Sequence, residues 1–136
     1  MSKQQVRYFT PEEANALLPR LAERLEALGS QVRQARSLSG RVDRLGPEER
    51  AEARESLKAL ERRAQVLLDA VREEGVHVKG IEPALLDFPA LRNGQEVYLC
   101  WREGEERVAY WHSLQEGFTG RQPLAEDRGD VWEWCN

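Results

Sequence analysis

Residues 96–112, EVYLCWREGEERVAYWH, concentrate side chains that can do chemistry. A phenol, a thiol, an indole and an imidazole occur there, at Tyr98, Cys100, Trp111 and His112. Thiols and imidazoles bind metal ions and carry protons, whereas indoles and phenols pack against ligands or against each other. The stretch therefore indicates either a binding site or a small sheet with an apolar underside.

A turn signal places a carboxylate next to this stretch. Asn93-Gly94 lies between two apolar segments and is a strong signal for a two-residue hairpin. With these two residues in the turn, Asp87 lies opposite Cys100 in an antiparallel pair. The sequence thus predicts that a carboxylate and a thiol face each other across two strands.

The charged run REGEER predicts a second turn, and with it a three-stranded antiparallel meander. If that turn centres on Gly104-Glu105, Tyr98 lies opposite Trp111. Side chains alternate along each strand, so two faces follow. We expect a core face with Leu86, Phe88, Val97, Leu99, Trp101, Val108, Tyr110 and His112. The other face, the candidate ligand-binding face, then carries Asp87, Tyr98, Cys100, Arg102, Arg107 and Trp111.

Two interpretations of that second face stay open. Its acid, phenol, thiol and indole could bind a small ligand. Alternatively, Tyr98 and Trp111 form a cross-strand aromatic pair, and Asp87 closes a turn or pairs with an arginine of the same face.

A glycine-containing segment after the third strand predicts a loop that returns to the strand end. It would bring Glu116 and Arg121 towards His112. His112, Asp87 and Glu116 could then hold a divalent metal ion. The alternative is that His112 is a hydrogen-bonded structural residue. Arg121 could bind an anion with its fork of donors, or form a salt bridge that fixes the loop.

No motif in the sequence fixes a reaction. Phosphate-binding glycine loops, a serine nucleophile elbow and paired zinc-ligand motifs are all lacking, so we assign no catalytic residue and predict no organic cofactor. We expect a non-enzymatic, dimeric binding or protein-interaction module with a small pocket at the sheet and the glycine-rich loop. The alternative is a metal-assisted hydrolase, or another small-substrate enzyme, that uses His112, Asp87 and Glu116.

The first half of the chain predicts a helical hairpin. Thr10, Pro11 and Glu13 form a helix start with a capping box, and Pro47 starts a second helix that Gly75 ends. Each helix carries one apolar stripe, which is typical of a hairpin that packs on a sheet and on a second copy of itself. The stripes are Leu18, Leu21, Leu25, Leu28, Val32 and Ala35, and then Ala53, Leu57, Leu60, Ala64, Leu67 and Val71.

The length of the chain and the order of its predicted helices and strands indicate one α+β domain over residues 1–136. It comprises a hairpin at 1–75, a small sheet with a glycine-rich loop at 76–124 and a tail at 125–136, where Trp132 and Trp134 suggest a short edge strand. No apolar run approaches the roughly 20 residues of a membrane span, and no signal peptide is recognisable, so we expect a cytoplasmic protein.

The overall charge argues against nucleic-acid binding. The formal net charge is -4, so the chain has no global basic field. The one basic stretch that could contact DNA or RNA lies around Arg36, Arg41 and Arg44 in the connection between the helices.

Several segments resemble a known bacterial family, catalogued as domain of unknown function 2203. They are YFTPEEANALLPRL, DFPALRNGQEVYLCW and VAYWHSLQEGFTGRQPL, and the resemblance covers about residues 7 to 124. It implies a small cytoplasmic protein with a helical hairpin and a short sheet, and it implies no activity. The shared pattern coincides here with Asp87, Phe88, Pro89, Tyr98, Cys100, Trp101, Trp111, His112, Gly117, Phe118, Gly120 and Arg121.

Overall fold

The computed structural model describes residues 6–124 and the backbone of residues 134 and 135. The first helix, α1, spans Pro11–Ser39 and begins as predicted. The Thr10 hydroxyl accepts a hydrogen bond from the Glu13 amide, and the Glu13 carboxylate accepts one from the Thr10 amide. This reciprocal cap satisfies two amides that the first turn would otherwise leave unpaired.

The second helix, α2, spans Pro47–Arg72 and packs along α1 to form the predicted hairpin. A short 3-10 turn, Val42–Arg44, lies in the connection. Most of the predicted stripe of α1 is buried, and so are Ala53, Leu60 and Val71 of α2. No helix among the described residues is long and apolar enough to cross a membrane.

The second half of the chain forms one antiparallel sheet, larger than the predicted meander. Its strands are β1 (His77–Ile81), β2 (Ala84–Arg92), β3 (Gln95–Arg102), β4 (Tyr110–Ser113), β5 (Gln122–Pro123) and β6 (Trp134–Cys135). Adjacent strands of the sheet follow the order β1-β2-β3-β4-β5, and β6 pairs with β2. The predicted meander is the central part of this sheet, β2 to β4. Of the two tail tryptophans, Trp132 lies outside the described residues.

The register of the first hairpin is the predicted one, with Asp87 opposite Cys100. The register of the second is shifted by one residue. Tyr98 lies opposite His112 instead of Trp111, and Leu99 lies opposite Trp111. A one-residue shift moves every side chain of a strand to the other face. The predicted faces of Tyr110, Trp111 and His112 are therefore wrong: Trp111 belongs to the core, and the other two lie on the opposite face.

The shift arises because β3 and β4 are joined by a structured connection, residues 103–109, and not by a two-residue turn. The Trp101 indole donates to the Glu105 carbonyl (2.9 Å), and the Arg102 amide donates to the Glu105 carboxylate (2.7 Å). Further along, Asn15 of α1 holds Val108 through two hydrogen bonds of 2.8 and 3.1 Å. These side-chain contacts fix a wider path, which a turn pattern in the sequence does not reveal.

The helices cover one face of the sheet, and the apolar core lies between the two layers. Leu21, Leu25 and Leu28 of α1 belong to the same buried cluster as Phe88, Leu99 and other residues of the sheet. Phe9, just before α1, meets Phe88 edge to face with ring centroids 5.3 Å apart. Burying this apolar surface is the main stabilisation available to a domain of this size.

Candidate functional site

Three chemically active side chains meet on the face of the sheet that the helices do not cover. Asp87, Cys100 and His112 lie on the adjacent strands β2, β3 and β4. Cys100 is the strand partner of Asp87, and His112 is the partner of Tyr98, one position along the same face of β3. We call this surface the outer face, defined by Asp87, Tyr98, Cys100, Tyr110 and His112.

The carboxylate and the imidazole form a buried pair. His112 Nε2 lies 3.0 Å from Asp87 Oδ1, and His112 Nδ1 lies 2.8 Å from the carbonyl oxygen of Ser113. Only 4% of Asp87 and 2% of His112 is exposed. A carbonyl oxygen can only accept, so Nδ1 carries a proton. A second proton lies between Nε2 and Oδ1, because two bare acceptors would repel each other at that distance.

Cys100 completes the cluster but is not an activated nucleophile. Burial raises the pKa of its thiol to about 11, and the charge of Asp87 adds to this effect. The thiol has no exposed surface. Because both nitrogens of His112 already have partners, the imidazole is not placed to take the thiol proton. The three residues therefore do not form a cysteine–histidine–aspartate catalytic triad.

The same three residues can serve as metal ligands. One ligand atom from each of Asp87, Cys100 and His112 lies within 4.8 Å of the other two, and all three residues are buried. A tetrahedral zinc ion with bonds of about 2.0–2.3 Å holds its ligand atoms about 3.3–3.8 Å apart. Small side-chain adjustments would bring the trio to that spacing. Mixed sulfur, nitrogen and oxygen ligands suit zinc and similar transition metals better than magnesium or calcium.

Tyr98 lies beside the cluster. Its ring centroid is 5.6 Å from that of His112 and 5.3 Å from that of His77, which is exposed. Burial raises the pKa of the Tyr98 hydroxyl, and the charge of Asp87 raises it further. The Lys79 ammonium lies 5.8 Å from the same ring. Tyr98 thus separates the cluster from solvent on the β1 side of the sheet.

An ion pair lies on the other side of the cluster. The two terminal nitrogens of Arg121 lie 3.0 and 2.6 Å from the two carboxylate oxygens of Glu105. The guanidinium also stacks on the rings of Tyr110, at 4.0 Å, and Phe118, at 4.2 Å. Tyr110 is the strand partner of Cys100 on the outer face, so this arrangement covers the thiol.

The structure brings most, but not all, of the predicted site residues together. Asp87, Tyr98, Cys100 and His112 come together on the outer face, and Arg121 lies next to them with Glu105 as its ion-pair partner. Trp111 does not join them, since it is buried in the core and the Arg92 guanidinium lies 3.9 Å from its ring.

Glu116 lies outside the trio of possible ligands. It is exposed, and its carboxylate accepts a hydrogen bond of 3.1 Å from the Ser113 hydroxyl. Sequence reasoning missed Glu105 and Tyr110 as neighbours of the site. Glu105 is one of five charged residues within REGEER, and nothing in the sequence distinguishes it from the others.

Comparisons with known proteins agree with the resemblance found in the sequence. The family model described as "Uncharacterized conserved protein (DUF2203)" matches residues 7–124, which include both helices, strands β1 to β5 and all three members of the cluster. No curated protein and no solved structure gave a significant match. Since the matched segment is most of the chain, the protein belongs to the DUF2203 family.

Proposed function

We propose that this protein is a non-enzymatic binding module whose ligand is a divalent transition-metal ion, held by Asp87, Cys100 and His112. The observation that carries the proposal is the convergence of three different metal-binding groups, from three adjacent strands, within 4.8 Å of one another. A metal ion needs no large cavity, so a site without exposed surface is compatible with this ligand.

The second hydrogen bond of His112 supports the proposal. Histidines that bind metals usually donate their other ring N–H to a carbonyl or carboxylate, which fixes the tautomer and the ring orientation. His112 Nδ1 makes such a bond to the Ser113 carbonyl at 2.8 Å. This contact leaves Nε2 directed at Asp87, where a metal ion would bind.

Burial favours binding over catalysis. A metal-assisted hydrolase needs a coordination position that water and a substrate can reach. Asp87, Cys100 and His112 are all nearly or fully buried, so a reacting substrate has no direct path to them. Glu116, the acid proposed from the sequence for a hydrolase, is exposed and bonded to Ser113.

Protons must leave the cluster when the ion binds. Cys100 gives up its thiol proton, and Asp87 and His112 give up the proton between them, so that each offers a free lone pair. Binding is therefore coupled to proton release, and its affinity falls as the pH is lowered. The raised pKa of Cys100 extends this dependence to about pH 11 and lowers the affinity at neutral pH, because more free energy is needed to form the thiolate.

The test is metal analysis of protein purified without chelator, followed by titration with Zn²⁺ and Co²⁺. We expect one ion per chain, with a thiolate-to-cobalt charge-transfer band. Cys100→Ser preserves side-chain size and should abolish that band and weaken zinc binding at least about tenfold, as loss of a thiolate ligand does. His77→Ala, which removes an exposed imidazole near Tyr98, is the matched control and should bind normally.

The proposal fails if the wild-type chain binds neither ion stoichiometrically. It also fails if Cys100→Ser retains the affinity and the cobalt spectrum of the wild type, because the cluster would then not be the binding site.

We also propose that the module forms a homodimer through its helical hairpin. Val66 of α2 is 68% exposed, on the side of the helix that faces away from the core stripe. Size-exclusion chromatography with light scattering tests this assembly, and Val66→Glu should shift a dimer towards monomer. A monomer at tens of micromolar wild-type protein would remove the dimer from the proposal.

A further inference from the structure

Glu105 and Arg121 form a side-chain clasp across the outer face. Glu105 lies in the connection between β3 and β4, whereas Arg121 lies just before β5. Their bidentate ion pair, at 2.6 and 3.0 Å, is mostly shielded from solvent, with exposed fractions of 18% for Arg121 and 21% for Glu105. Gly104 in the first segment is exposed, and Gly117 and Gly120 in the second are half-buried, so the ion pair directly links two glycine-containing loops.

Further hydrogen bonds and ring contacts hold both side chains of the clasp in place. The Glu105 carboxylate also accepts from the Arg102 amide, and the Glu105 carbonyl accepts from the Trp101 indole. The Arg121 guanidinium contacts the rings of Tyr110 and Phe118. These contacts hold the planar guanidinium of Arg121 in a single orientation. A lysine ammonium could neither pair with both carboxylate oxygens in this way nor stack on the two rings.

Cys100 lies under this clasp. Tyr110, on which Arg121 stacks, is the strand partner of Cys100, and the thiol has no exposed surface. The guanidinium also affects the pKa of the thiol. Burial raises the pKa of Cys100, and the charge and hydrogen bond of Arg121 offset part of that rise. A ligand or reagent that approaches Cys100 from this side must displace Arg121.

We infer that the Glu105–Arg121 clasp is a gate that controls access to Cys100, and through it the rate at which a metal ion enters and leaves the cluster. Its role in metal exchange rests on the proposed metal-binding function, whereas its control of thiol access does not. Opening requires only the Glu105 and Arg121 side chains to separate, so the Glu105 carbonyl can keep its hydrogen bond from the core residue Trp101. Local openings of this kind cost less free energy than global unfolding and are typical of access routes to buried sites.

A gate and a stabilising contact make different predictions. A gate raises the barrier to both entry and exit, so its removal speeds association and dissociation together and leaves the dissociation constant nearly unchanged. A contact that merely stabilises the bound ion slows only dissociation, so its loss weakens binding. The Arg121 charge acts on the bound ion and on the Cys100 thiolate as well as on an entering cation, so its loss also changes the affinity. Glu105→Gln, which keeps that charge, is therefore the variant that separates a gate from a stabilising contact.

Thiol access is the first test. It is measured in a Cys135→Ser background, so that Cys100 is the only cysteine, with a disulfide reagent under native conditions. Arg121→Ala removes the clasp, and Glu105→Gln breaks the ion pair but keeps the guanidinium charge and the side-chain shape. We expect both to speed modification at least about tenfold, as the loss of a partly buried ion pair would. Arg107→Gln, at an exposed arginine of the same connection, is the control.

Metal exchange is the second test. Zinc-loaded protein is mixed with excess chelator for the dissociation rate, and apo protein with zinc for the association rate. Both variants should exchange zinc at least about tenfold faster than the wild type and the Arg107→Gln control. Glu105→Gln, which keeps the guanidinium charge, should also keep a dissociation constant within about threefold of the wild-type value. Thermal melts confirm that each variant is folded before its rates are compared.

The outcomes separate the two proposals. If the wild-type chain binds no zinc, the metal-binding function fails and the exchange role of the clasp fails with it. If the wild type binds zinc but the variants show wild-type exchange rates and wild-type thiol protection, the gate is wrong and the metal site stands. If the variants change the dissociation constant through the dissociation rate alone, Arg121 is a stabilising contact and the gate is wrong.

Discussion

His112 Nε2 lies 3.0 Å from Asp87 Oδ1, and the two side chains are almost completely buried on the face of the sheet away from the helices. A buried polar pair of this kind contributes little net stability by itself, because desolvating both groups offsets their attraction. Each partner nevertheless depends on the other, since either one alone would be left in an apolar environment. The pair therefore explains why a small sheet keeps two polar groups in its interior.

This dependence predicts the effect of breaking the pair. His112→Ala leaves the Asp87 carboxyl without its imidazole partner, and we expect the free energy of unfolding to fall by about 3–5 kcal/mol. Urea unfolding followed by tryptophan fluorescence measures the loss. The Asp87→Asn and Asp87→Asn/His112→Ala variants complete a double-mutant cycle, in which the double variant should lose clearly less than the sum of the single variants. Additive losses would show that the two side chains do not interact.

The first half of the fold and the first hairpin could be predicted from the sequence because local signals determine them. The capping residues at Thr10 and Glu13 mark the start of α1, and Asn93-Gly94 fixes the register that brings Asp87 opposite Cys100. Asn93 has a positive φ of 51°, and Gly94 follows with 79°, which is the conformation that this turn type requires. A turn of this kind leaves no freedom in the pairing of its strands.

The rest of the site could not be predicted, because contacts distant in sequence fix the second register. Asn15 of α1 holds Val108 from 93 positions away, and the connection that contains Glu105 is wider than a tight turn. The resulting shift exchanges Trp111 and His112 between the two faces. The sequence therefore correctly predicted that Asp87 faces Cys100. It also proposed His112 as a metal ligand with Asp87, but the predicted register put His112 on the core face, whereas the structure puts it on the face of Asp87 and Cys100.

The corrected register makes a direct prediction for the two tryptophans. Trp101 and Trp111 both belong to the buried cluster, with 5% and 7% of their surfaces exposed. Truncating either to alanine removes a large core side chain and should cost about 3–5 kcal/mol of unfolding free energy. Thermal and urea unfolding of both variants measure these losses. Trp111→Phe should recover much of the stability, whereas a cost below about 1 kcal/mol for Trp111→Ala would contradict its placement in the core.

Asn15 offers a test of the contact that fixes the second register. Its side chain accepts a hydrogen bond from the Val108 amide at 2.8 Å and donates one to the Val108 carbonyl at 3.1 Å. Asn15→Ala leaves both backbone groups of a buried residue without this partner, and we expect a loss of about 1–3 kcal/mol in unfolding free energy. Gln34→Ala, on an exposed position of the same helix, should change the stability by less than about 0.5 kcal/mol. Equal effects of the two substitutions would mean that the Asn15 contact is dispensable.

The raised pKa of Cys100 predicts a loss of stability at alkaline pH. Its thiol has a pKa of about 11 in the folded chain, against an ordinary value near 9.0, and burial is the main cause. The folded state therefore holds this proton more tightly than the unfolded state does. The resulting stabilisation is fully present below about pH 9 and is lost as the pH rises through about 11. At about 1.4 kcal/mol per pKa unit, the loss approaches roughly 3 kcal/mol.

Comparison with Cys100→Ala isolates this contribution. Tyr8 and Tyr98 also have raised pKa values, so the wild-type chain loses stability at alkaline pH for more than one reason. Both tyrosines are present in the variant, whose dependence on pH should lack only the thiol component. Urea unfolding of the two chains at several pH values between 8 and 11, with reductant present, should therefore show their stability difference shrinking as the pH rises. Parallel curves would mean that the folded chain does not hold the Cys100 proton more tightly than the unfolded chain, so that the thiol is not buried beside Asp87 as described.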